Sequence, residues 1–142
     1  MEIEEKLKIL KSLDTKSLVE KIYQYENELE KELIAETDFK NSNHGFLGSG
    51  DCQEVKRILA ELATRAPETN VAEKKMTVAE RDNWLQKQRV ENKELSEAIQ
   101  KQRQVGFLVD DHQIKVEMAR RKLTSVMAIL ALRTQQIAFL AA

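Results

Sequence analysis

Between Glu2 and about Ala35 the apolar residues Ile3, Leu7, Leu10, Leu18, Ile22, Tyr25 and Leu29 recur mostly at steps of three and four. That spacing places them on one stripe of an amphipathic helix that needs a partner. The stripe slips around Leu13-Asp14-Thr15, where Asp14 or Thr15 suits the N-cap of a second helical segment. Residues 37–50 hold three of the four glycines together with Asn41, Asn43, Ser42 and Ser49, and read as a flexible connecting loop. Asp51 then caps a short helix over 51–66, with Glu54 at capping-box spacing and Val55, Ile58, Leu59 and Leu62 on its apolar face. Pro67 ends that helix, because the residue before a proline is pushed out of the helical region.

Residues 67–76 are polar and read as a linker. Thr77-Val78-Ala79-Glu80 is a capping box, and the run from Thr77 to Leu140 that follows it has no proline and one glycine, Gly106. The pattern predicts one long helix over 77–140. Its first half is thinly apolar, with Trp84, Leu85, Leu95 and Ile99 on one side, and a heptad register from Leu85 continues through Gln88, Asn92, Leu95, Ile99 and Gln102. Such a narrow stripe resembles a coiled-coil seam with polar register-setting members. A break near 105–110 is the alternative, since Gly106 is a weak helix former and Asp110 with Gln113 has capping-box spacing; with no proline following, the continuous helix is the expectation. Beyond Ile114 the chain is apolar on a broad front through Val116, Met118, Leu123, Val126, Met127, Ile129, Leu130, Leu132, Ile137, Phe139 and Leu140. A helix apolar around more than half its circumference is covered on more than one side.

The composition, 42% apolar and 33% charged with 5% aromatic residues and one proline, leaves little material for a many-stranded sheet. The fold class is therefore all-α: a long helix or helical hairpin with coiled-coil character, packed with an N-terminal helix (1–36) and the short middle helix. A net charge of −1 hides an asymmetry, because residues 1–71 carry ten Lys/Arg against fifteen Asp/Glu while residues 72–142 carry thirteen against nine. Acidic and basic helices that lie together, within a chain or between chains, account for this split.

Cys52 is the single cysteine, which excludes an intrachain disulfide and fits a reducing compartment. The acidic start Met1-Glu2-Ile3-Glu4-Glu5 is unlike an export signal, and Arg133-Thr134-Gln135-Gln136 interrupts the one stretch resembling a membrane span. The expectation is a cytoplasmic protein without a membrane role. For chemistry, Gly45-Phe46-Leu47-Gly48-Ser49-Gly50 lacks the Lys-[Ser/Thr] of a phosphate loop and has no preceding strand. Asp110-Asp111-His112 cannot converge on one metal from a regular helix, where successive residues point about 100° apart, so it reads as a cap with a surface histidine. Neither an enzyme active site, a metal site nor a cofactor is expected.

A helical interaction module is the reading that remains, self-associating, with a dimer favoured, and acting as adaptor, assembly factor or inhibitor of a protein partner. Its expected interface comprises Trp84, Leu85, Asn92, Leu95, Ile99, Phe107, Ile114, Met118, Leu130 and Ile137. The alternative is a nucleic-acid accessory protein whose basic helix over 87–122 contacts phosphates through Lys115, Arg120, Arg121 and Lys122.

Overall fold

The computed structural model describes residues 2–12 and 15–141, and among these the protein is all-α. In chain order the helices are α1 (Ile3–Ser12), α2 (Lys16–Ser42), α3 (Gln53–Thr64), α4 (Val78–Glu91) and α5 (Lys93–Ala141), with a 3-10 turn at His44–Phe46 before α3. Leu13 and Asp14, where the sequence suggested a cap, lie outside the described residues. Thr15 opens α2, its carbonyl accepting from the N–H of Val19 at 3.0 Å. The chain divides into two compact units, Met1–Thr37 with Asp111–Ala142, and Asp38–Asp110.

In the first unit α2 and the 111–141 part of α5 run antiparallel. Glu28 meets Lys122 at 3.8 Å, Tyr25 has the Lys122 ammonium 5.9 Å from its ring centre, and Ile9 lies by Leu132 and Leu140. The covered positions of α2 include the series Leu18, Ile22, Tyr25, Leu29, Glu32 and Glu36, with Glu28, Leu33 and Ala35 beside it, and those of α5 are His112, Val116, Ala119, Leu123, Val126, Leu130, Arg133, Ile137 and Leu140. Both series step alternately by three and four, the seven-residue period of helices packed side by side at a shallow angle. The apolar centre is small: among the described residues, Leu18, Val116, Ala119, Val126 and Leu140 are the ones buried there.

The second unit is built around α3. Cys52, Val55, Ile58, Leu62, Leu95 and Ala98 form its core, with Phe46, Leu59, Trp84, Leu85 and Ile99 packed on the outside. Val55 and Leu95 are fully buried. Here the heptad over α4 and α5 meets its physical limit, because the helix stops at Glu91. Asn92 is extended (φ −81°, ψ 118°), and its side-chain oxygen accepts from the N–H of Leu95 at 3.0 Å, capping α5. The expected single helix over 77–140 is thus two, broken at Asn92 and continuous through Gly106. An Asn side chain competes well for the free N–H groups of a helix start, and the break lets α4 and α5 both face α3.

Further boundaries differ from the sequence reading. α2 extends to Ser42 rather than stopping at residue 36; no glycine or proline intervenes before Gly45, and the side-chain amide of Asn43 donates to the Phe39 carbonyl at 3.0 Å. Cys52, not Asp51, is the N-cap of α3, at φ −74°, ψ 172°. The segment read as a linker is ordered by Asn70, whose side-chain oxygen accepts from the N–H groups of Ala72 at 3.0 Å and Lys74 at 3.1 Å, while Thr69 and Lys75 form an antiparallel bridge.

Candidate interaction surface

The glycine loop that the sequence marked as a flexible connector is anchored. Gly48 and Gly50 adopt positive φ (105° and 75°), a region open to glycine at little cost. This lets the loop turn its carbonyls toward α5, where the Gln102 amide donates to both the Gly48 and Gly50 carbonyls while its oxygen accepts from the N–H of Cys52 at 3.3 Å. Next to it the Arg89 guanidinium grips both oxygens of Asp51, at 2.9 and 2.7 Å. This bidentate pair holds the Asp51 carboxyl below its ordinary pKa, chiefly through the hydrogen bonds from Arg89. Asp51 is committed to α4, which is why it does not cap α3. An open cavity of about 420 Å3 lies between the loop and α5, lined by Ser49, Ile99, Arg103 and Gly106 among others. Asp51 and Arg89 in its lining satisfy one another and Gln102 is taken up by the loop, so it reads mainly as packing between loop and helix.

The ten residues expected at an interface separate into four groups. Trp84, Leu85, Leu95 and Ile99 face α3 within the chain, so this stripe belongs to the core of the second unit. Asn92 is the helix cap. Leu130 and Ile137 are half-covered members of the α5 series in the first unit. Only Phe107, Ile114 and Met118 stand clear, at 72%, 57% and 55% exposure. Of the cations assigned to phosphates, Lys122 pairs with Glu28 at 3.8 Å and Arg121 with Glu117 at 3.2 Å. Lys115 lines a charged groove of about 260 Å3 with Glu28, Lys31 and Glu32. Asp110 does not cap a new helix, because α5 is unbroken there, and His112 is half-buried in the α5 series rather than on the surface.

Of the far side of α5 in the first unit, the sequence reading named only Ile114 and Met118 as interface residues. Opposite its packed face, Ile114, Met118, Arg121, Ser125, Ala128, Leu132, Gln135 and Phe139 follow one another at alternating steps of four and three, and all are exposed. Apolar residues dominate the ends and small ones the middle; Leu132 is 56% and Phe139 79% exposed. At the C-terminal end this face borders an open groove of about 340 Å3, with Ile9 of α1 on the other wall. The pattern was present in the broad apolar front beyond Ile114. What the sequence lacked was knowledge of which half α2 covers.

Comparison with known protein families, with characterised proteins and with solved structures finds no match. By length and composition α5 contains one stretch apolar enough to cross a membrane, an 18-residue window of mean hydropathy 1.4 that is 11% buried. Among the described residues no group of three or more His, Cys, Asp or Glu side chains is arranged to hold a metal ion.

Proposed function

We propose that this protein is a non-enzymatic helical interaction module of coiled-coil character, an adaptor, assembly factor or inhibitor that works by binding protein through its first unit. One observation carries the reading. Among the described residues that unit buries five apolar side chains while Ile114, Met118, Met127, Ile129, Leu132 and Phe139 of α5 remain exposed. Ile114 with Met118 and Leu132 with Phe139 make two apolar clusters on one helix face, the kind of exposed surface that marks an interaction site. A bilayer is a poorer match for the same face. α2, packed along α5, carries Glu20, Lys21, Glu26, Glu28, Glu30, Lys31 and Glu32, and the pair cannot enter hydrocarbon together without desolvating these charges. Nucleic acid fits less well again, because Arg121 and Lys122 are already engaged by Glu117 and Glu28.

Photo-cross-linking in the native cell tests the reading. A benzophenone amino acid at Met118 or Leu132 should give covalent adducts to protein, and one at the exposed Lys87 of α4 should give none. Adducts to nucleic acid or lipid alone, or no adduct at either α5 position, would overturn it.

A further inference from the structure

We infer that the exposed stripe of α5 is a homodimer face on which two copies pair antiparallel about a two-fold axis between Ser125 and Ala128; this rests on the interaction-module reading and names its partner as a second copy of the chain. The stripe is nearly its own mirror image. Reversed and laid on itself, its alternating steps coincide, so Ser125 faces Ala128 of the second copy at the centre. Small residues at that point let the two backbones approach closely. Toward the ends, Met118 meets Gln135 of the second copy and Ile114 meets Phe139. The Ile114 side chain is thereby delivered to the open groove of about 340 Å3 beside Phe139 and Ile9, which is large enough to receive it.

Charge selects this direction. Arg121 is the only ionised member of the stripe, and its side chain is 78% exposed. In a parallel pairing Arg121 of each copy would face the other across the seam. In the antiparallel pairing it faces Leu132, along which its aliphatic stem can lie while the guanidinium reaches water. The area is sufficient. Ile114, Met118, Leu132 and Phe139 together present roughly 500 Å2, giving on the order of 1,000 Å2 for the pair, which is the lower bound of specific interfaces. A closed two-fold contact also uses the stripe completely and leaves no end open for a filament.

The test compares two substitutions at one position by sedimentation velocity, from about 1 to 100 µM, a range that spans ordinary weak dimers. Wild type should form a dimer. Leu132→Lys brings a second cation against Arg121 of the other copy and should raise the dissociation constant at least about tenfold, whereas Leu132→Glu gives Arg121 a second carboxylate beside Glu117 and should hold it within about threefold. Leu132 is exposed, so both variants keep the fold, which circular dichroism checks. A parallel pairing would place residue 132 against itself, so equal weakening by both variants overturns the proposal. Indifference to both, or a wild-type monomer throughout, overturns it as well. Flotation of wild type with phosphatidylcholine–phosphatidylglycerol vesicles in place of dimerisation would assign the stripe to lipid and do the same. A wild-type monomer that still cross-links to other proteins from Leu132 would leave the interaction-module reading standing and remove only the homodimer.

Discussion

Gly106 shows how far a single residue can be judged from its type. The sequence marked it as the weak point of a long helix, and the chain runs through it without a break. Its cost is backbone entropy, since glycine has more freedom to lose than any other residue. Nothing in the structure requires its missing side chain: its φ is not in the left-handed region, and an added Cβ would meet no atom within 4 Å. Gly106→Ala should therefore stabilise the protein by up to about 1 kcal/mol in urea or thermal unfolding. A loss of stability would show that something outside the chain approaches the backbone there. Thr77 was legible for the same local reason, its hydroxyl accepting from the N–H of Glu80 at 3.2 Å as the capping box requires. Asp51 was not. Its role depends on Arg89, which is distant in sequence and brought near only by folding.

At the scale of elements, periodicity told where helices exist more reliably than what they face. The stripe Trp84, Leu85, Leu95 and Ile99 was visible, but its partner α3 was not, and a heptad count crosses an Asn cap as easily as any other residue. Glycine-rich composition marked the 37–50 segment as loop, yet its anchoring needed Gln102 of α5. The clasp of Asp51 by Arg89 joins that loop to α4 and has a testable pH dependence. Because the folded carboxyl is held below its ordinary value, the pair's contribution is present above about pH 4, the ordinary carboxylate range, and is lost as pH falls through the lowered value. The side chains remain 26% and 35% exposed, so solvent screening limits the effect to about 1 kcal/mol. Asp51→Asn should lower the urea midpoint at pH 7, and the gap from wild type should close as the pH approaches 2. A gap that stays constant with pH would mean the substitution acts through packing alone.

For the whole molecule, the all-α class followed from composition and spacing, whereas the division of apolar surface between inside and outside did not. The first unit covers one side of α5, and the opposite stripe keeps Ile114, Met118, Leu132 and Phe139 in water. If a second copy covers it, folding and association are linked, and stability depends on protein concentration. Each tenfold increase then adds about 1.4 kcal/mol to the stability of the dimer, which for two chains of this length corresponds to a rise in Tm of roughly 2 °C. Calorimetry across two decades of concentration should show this rise for wild type and a flat Tm for Leu132→Lys. The comparison separates association from general apolar stickiness, because non-specific aggregation depresses the apparent Tm at high concentration and depends on scan rate. A wild-type Tm independent of concentration would mean that α5 keeps its outer stripe exposed in the free protein and holds it for a different partner.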